Sequence, residues 1–216
     1  NLSLVQVDAE FDTYLRQRFA RALAALPAEA NAIMPEGDFE LQMRAGAQAL
    51  ANADDAQAES HLLRAQALFP EYAGADSAYW HLAKLYAKRQ QPAPAAAQLQ
   101  RMISINAEHY AAHLMLAELH ETLRDTIAAA DVLARALYID PFAPDLHAHL
   151  ALLYERLQQW PQAARERAAF VALEPVDMAQ ARYDLAHAYA RAGESTPARR
   201  EVLRALELAP NFPEAL

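Results

Sequence analysis

Apolar and polar positions along this chain return with a fixed period. Leu82-Ala83, Leu116-Ala117, Leu150-Ala151 and Leu185-Ala186 recur at steps of 34, 34 and 35 residues. Three residues after each of these alanines stands Tyr86, His120, Tyr154 or Tyr189. An alanine follows at Ala95, Ala129, Ala163 or Ala198, and each unit closes at Ala107, Pro141, Pro175 or Pro210. Self-similarity at a period of roughly 20–50 residues marks stacked units, each too small to bury its own apolar face. A degenerate unit precedes these four, with Ala45-Gly46 in the Leu-Ala slot, Ala58 as the middle alanine and Pro70 as the stop.

Within a unit the pattern is helical. Leu116, Ala117 and His120 fall on one helical face, and Ala129, Leu133 and Ala136 on the face of the next helix. Small residues let the two backbones approach, and each buried leucine contributes about 1.5–3 kcal/mol. In the second unit the pattern predicts helices over 76–89 and 92–105. The turns between paired helices carry Asp54-Asp55, Pro92, Asp125-Thr126, Pro161 and Ser195-Thr196-Pro197. Asp, Ser and Thr cap free amides at a helix start, and Pro fits the first turn, where no donor is needed. Gly193 suits a left-handed helix end. The prolines of Ile139-Asp140-Pro141 and Leu173-Glu174-Pro175 end the second helices. The chain therefore reads as all-α, with five helical hairpins at 39–75, 76–109, 110–143, 144–178 and 179–212 in a solenoid domain of 39–216.

Residues 1–38 do not fit the repeat. Phe11, Leu15, Phe19, Leu23 and Leu26 step by four and three, which predicts an amphipathic helix over 8–26 ended by Pro27. A loop is expected over 28–37, with Pro35 and Gly37 as breakers. This segment is expected to cap the first hairpin or to link it to a preceding domain. The chain opens on Asn1 rather than Met, and Asn211 to Leu216 read as the start of another helix. Both ends are expected to be cuts in a longer protein.

Composition narrows the function. Only four glycines stand in 216 residues rich in alanine, which favours helices over sheets. No run approaches about 18 uninterrupted apolar residues, so no membrane-inserting helix is expected. A net charge of −9 disfavours nucleic acid, whose phosphates need a basic surface. With no cysteine, disulfides and thiolate metal sites are excluded.

The run Trp80-His81-Leu82-Ala83-Lys84-Leu85-Tyr86 resembles the first-helix motif of the tetratricopeptide repeat (TPR) family. Ala136-Leu137-Tyr138-Ile139-Asp140-Pro141 and Ala205-Leu206-Glu207-Leu208-Ala209-Pro210 resemble its closing motif. The resemblance covers 39–212 and implies a right-handed α-solenoid whose first helices line a concave groove for a partner's peptide or helix. Gln90 and Arg124 depart from it at a turn slot often held by glycine, as does Arg167 at a large apolar slot of the second helix. A second, weaker resemblance joins Phe11-Asp12-Thr13-Tyr14-Leu15-Arg16-Gln17-Arg18-Phe19 to the segment after the catalytic domain of some bacterial metallopeptidases with C-terminal repeats.

No catalytic constellation accompanies these features, and no cofactor or metal is expected. His120-Glu121-Thr122-Leu123-Arg124 begins like a zinc-peptidase helix, but Arg124 replaces the second histidine. His113, His120 and His147 stand in slots that hold aromatic core residues in the resembled family, so they are expected as flat, partly buried rings. His147 and His149, two apart on a helix, point in different directions. Glu118, Glu121 and Glu155 read as solvated carboxylates.

The groove candidates follow from the register. With each Leu-Ala pair in the core, the residues two before and two after the leucine face the groove: Trp80 and Lys84, Leu114 and Glu118, Ala148 and Leu152, Tyr183 and His187. One turn on stand Lys88, Glu121, Glu155, Arg156 and Arg191. The result is a groove with an aromatic at each end, an acidic middle and flanking basic residues. Trp80, Tyr183 and Arg191 are of the types that anchor interfaces; packing between repeats is the alternative for Trp80. The lysine-and-asparagine clamp by which chaperone-binding TPR members hold a terminal carboxylate is missing, since Leu114 and Glu118 stand in the comparable places. The expected function is a non-catalytic scaffold that binds a peptide or helix of a partner protein. The alternatives are a substrate-recruiting accessory domain of a larger bacterial enzyme, and self-association through the terminal repeats.

Overall fold

A computed structural model of the chain describes residues 10, 11, 13, 14, 18 and 38–211. From residue 38 onward the described residues form ten helices and no strand. They are α1 (Asp38–Ala51), α2 (Asp55–Leu68), α3 (Ala78–Lys88), α4 (Pro92–Ile105), α5 (Tyr110–Thr122), α6 (Thr126–Ala136), α7 (Pro144–Arg156), α8 (Trp160–Ala172), α9 (Met178–Arg191) and α10 (Ser195–Leu208). Each helix packs chiefly on its neighbours in sequence. The five hairpins therefore stack in a line, as an α-solenoid, rather than closing into a bundle. None of these helices is long and apolar enough to cross a membrane.

The local punctuation has the expected chemistry. Asp54 and Asp125 accept from the amides of Gln57 and Ala128, both at 3.0 Å, at the starts of α2 and α6. Pro92 opens α4, and Pro161 sits in the first turn of α8. The Ser-Thr pair before Pro197 behaves differently: α10 begins at Ser195 itself, and no side chain caps it. Between the two helices of every hairpin one residue takes a left-handed backbone: Ala53, Gln90, Arg124, Gln158 and Gly193, with φ of 57°, 58°, 63°, 58° and 84°.

The repeated Leu-Ala pairs form the core. Leu82, Leu116 and Leu150 are 0% exposed and Leu185 4%, and the alanines beside them are equally buried. Ala58, Ala95, Ala129 and Ala163 close the helix contacts from the second helices. In the first hairpin Gly46 replaces the slot alanine because Leu62 crowds it. A β-carbon there would lie 3.0 Å from Leu62 Cγ and Cδ2.

Residues 10, 11, 13, 14 and 18 are helical, with Phe11 and Tyr14 exposed. The rest of the helix expected over 8–26, and the loop expected over 28–37, lie outside the described residues.

Candidate partner-binding groove

Four first helices, α3, α5, α7 and α9, carry the groove candidates. Burying the leucine and alanine of each helix leaves the residues two positions away from the leucine on the opposite side. On α3, Trp80 is half-buried and Lys84 exposed, with the Lys84 ammonium 5.9 Å from the Trp80 ring centroid. The Trp80 ring also meets the ring of His109, the residue before α5, at 5.3 Å between centroids. Trp80 thus packs on the residue that caps α5 and has a cation near its ring. Lys88 is bound at 2.8 Å to Asp55 of the preceding hairpin.

On α5, Leu114 and Glu118 border one cleft of about 280 Å3 between α5 and α7. Tyr110 and Leu146 add apolar wall, and Asp145 and His149 stand at its rim. Burial, then the nearby Asp140 and Asp145 carboxylates, hold the Tyr110 hydroxyl above the usual phenol range. Glu121, one turn beyond Glu118, joins two hairpins. One oxygen takes His149 Nε2 at 2.6 Å and the other takes Arg156 Nη1 at 3.0 Å.

On α7, Leu152 is exposed, but Glu155 faces a partner from behind. Arg167 of α8, 7% exposed, donates to Glu155 at 2.9 and 3.3 Å and lies 3.2 Å from Asp184 of α9. Glu121 and Glu155 are therefore paired structural carboxylates rather than simply solvated ones, whereas Glu118 remains exposed. On α9, Tyr183 is half-buried, while His187 and Arg191 are exposed. Both touch Trp160 of α8: the His187 ring meets it edge-on at 5.9 Å, and the Arg191 guanidinium lies 4.6 Å over its centroid.

The helices thus bring Trp80 to Lys84, Glu121 to Arg156, and His187 to Arg191. Trp160, His149 and Asp145 belong to the same surface without having been anticipated. A signal for Trp160 existed in the repeat register. Arg191 meets Trp160 as Lys88 meets Asp55, late in a first helix against the first residue of the preceding second helix.

The histidines separate as their spacing predicts. His147 is buried against Glu166, while His149 turns to Glu121. His113 is buried and His120 half-buried. Among the described residues no group of three His, Cys, Asp or Glu side chains is placed to hold a metal ion.

Residues 179–212 match the family described as tetratricopeptide repeat. Among solved structures, the chain is similar to the MamA protein, at 18% identity and a TM-score of 0.57 over 82% of this chain and 96% of that one. MamA 41-end from Desulfovibrio magneticus RS-1 aligns at 14% and 0.53 over 82% and 97%. YrrB, described as a TPR protein with an unusual peptide-binding site, aligns at 17% and 0.57 over 81% and 88%. A chain of the Naa15/Naa10 complex bound to HypK-THB aligns at 15% and 0.60 over 82% and 26%. At these identities the likeness establishes the fold. No curated protein matches the chain by sequence.

Proposed function

We propose that this chain, a tetratricopeptide-repeat solenoid, is a non-catalytic scaffold that takes a peptide or helix of a partner protein along the groove of α3, α5, α7 and α9. One observation carries the reading. The buried face of these helices is mostly leucine and alanine, while the opposite face leaves Lys84, Glu118, Leu152, His187 and Arg191 exposed, with Lys84, His187 and Arg191 beside two indole rings. Large amphipathic rings and arginine are the side chains that concentrate binding energy at interfaces. YrrB, with its peptide-binding site, and the HypK-bound Naa15/Naa10 complex lend support as folds of this kind that hold other chains. In this reading the hairpins of 39–216 are the interaction unit, residues 1–38 cap them, and a net charge of −9 steers the choice of partner away from nucleic acid.

The test is affinity capture from the native cell, comparing the parent chain with Trp80→Ala/Tyr183→Ala and checking both for helical content by circular dichroism. Loss of the parent's partners in a folded variant is the expected result. Retention of the same partners by the variant would remove the groove assignment.

A further inference from the structure

Most charges in the groove are already spent on one another. Lys88 is held by Asp55, Glu121 by His149 and Arg156, and Glu155 by Arg167. Four exposed charges of this surface have no opposite charge beside them among the described residues: Lys84, Glu118, Asp145 and Arg191. The two cations share one device. Lys84 rests on Trp80 and Arg191 on Trp160. An indole face attracts a cation through its quadrupole but leaves its charge uncancelled. Each ring therefore holds a cation near its face while leaving its charge to be met by a carboxylate. Glu118 differs in its surroundings. It stands at the mouth of the α5–α7 cleft, whose walls include Tyr110, Leu114 and Leu146, with Asp145 as a second carboxylate on the rim. Apolar walls ending in carboxylates suit a side chain with an aliphatic stem and a cationic head.

We propose, building on the groove reading, that the occupant is an extended peptide segment with an acidic–basic–acidic pattern. One acid meets Lys84 on Trp80, a lysine or arginine enters the Tyr110–Glu118–Asp145 cleft, and the second acid meets Arg191 on Trp160. The cleft lies between the second and third of the four groove helices, with Lys84 on the first and Arg191 on the fourth, so the basic side chain stands between the two acids, roughly midway. A segment of the opposite charge pattern is rejected by like charges at all three points.

The probe is a phage-displayed library of random dodecapeptides selected on the full chain, followed by fluorescence anisotropy of the synthetic consensus. The expected consensus carries Lys or Arg, with Asp or Glu on both sides at similar separations. Lys84→Glu and Arg191→Glu, both at exposed positions, should each weaken it about tenfold. Changing the matching peptide acid to lysine should restore binding to Lys84→Glu. A consensus without this pattern that still loses binding in Trp80→Ala/Tyr183→Ala overturns the charge code and leaves the groove reading standing. Binders indifferent to both the aromatic and the charge substitutions overturn both. A selection that yields no binder overturns the proposal.

Discussion

Arg182 meets Glu201 at 2.6 Å across the last hairpin, in the register that sets His147 against Glu166 at 2.8 Å one hairpin earlier. Tyr79 and His113 fill the same first-helix slot in the hairpins before. Tyr79 donates to the carbonyl of Pro70, and His147 Nε2 lies 3.0 Å from the carbonyl of Pro141, so a ring in this slot ties its helix to the preceding turn. A histidine brings a second ring nitrogen that tyrosine lacks, and Glu166 on the facing helix satisfies it. Arginine in the slot meets a carboxylate at the same facing position. The slot thus passes from an aromatic to an ion pair while the helix spacing is kept.

Glu201 is 3% exposed and receives Arg182, Arg200 and Arg204. Its removal strands Arg182 between two helices. Glu201→Ala should cost about 2–3 kcal/mol, below the usual figure for a broken buried pair because the arginines are themselves partly in water. In a linear array the damage stays local. Amide hydrogen exchange should accelerate in α9 and α10 and remain unchanged in α3 to α6. Uniform acceleration along the chain would contradict this.

Arg167 occupies the slot that holds Leu99 and Leu133 in earlier hairpins, and it is buried between Glu155 and Asp184. Arg167→Ala loses both the ion pairs and the volume and should cost about 3 kcal/mol. Arg167→Leu fills the slot with its ordinary occupant, and both carboxylates can turn to water. That variant should stay within about 1 kcal/mol of the parent. Urea titration of the two variants decides the point; equal losses would mean the slot depends on charge rather than volume.

Gln90 and Arg124 hold backbones at φ of 58° and 63°, a conformation that places a β-carbon against the following carbonyl. The left-handed state costs a non-glycine residue roughly 1–2 kcal/mol, while glycine loses roughly 0.5–1 kcal/mol more backbone entropy on folding. Glycine wins by a small margin. Gln90→Gly/Arg124→Gly should raise stability by about 1 kcal/mol in total, read as a higher urea midpoint at unchanged slope. A lower midpoint would show that the side chains contribute more than the strain they impose.

The hairpins were legible because their determinants are local. Leu116 and Ala117 face Ala129 and Leu133 within a single unit, and a period of one hairpin repeats that information along 39–212. Exposure was legible as far as helical geometry carries it: Lys84, Glu118 and Arg191 stand exposed on the face opposite the core. Ion pairing was not, since Glu155 finds Arg167 on the second helix of its hairpin and Glu121 finds Arg156 in the next. Such partners depend on side-chain reach between helices, to which periodicity is blind. Trp160 was hidden for the same reason, reading as part of a turn beside Pro161 while its ring lies under Arg191 of the following hairpin.

Tyr86 and Glu59 give the first hairpin contact a defined pH window. Tyr86 donates to Glu59 at 2.8 Å, and Arg89 takes the other carboxylate oxygen at 2.5 Å. The Arg89 hydrogen bond, then that of Tyr86, holds Glu59 below its ordinary value of 4.5. Burial, then the Glu59 carboxylate, pushes the Tyr86 phenol up to about 12 from 10.0. A depressed carboxylate stabilises the fold above about pH 4.5 and loses that contribution as pH falls through the folded value. A raised phenol stabilises it below about pH 10 and loses that contribution as pH rises toward 12. Tyr86→Phe removes the phenol and one of the two hydrogen bonds on Glu59. The stability difference between parent and variant should therefore be largest and flat between about pH 5 and 10 and shrink on both sides. Urea midpoints of both proteins across pH 3 to 11.5 measure that difference directly, and a gap that stays constant from neutral pH to 11.5 would refute the assignment to Tyr86.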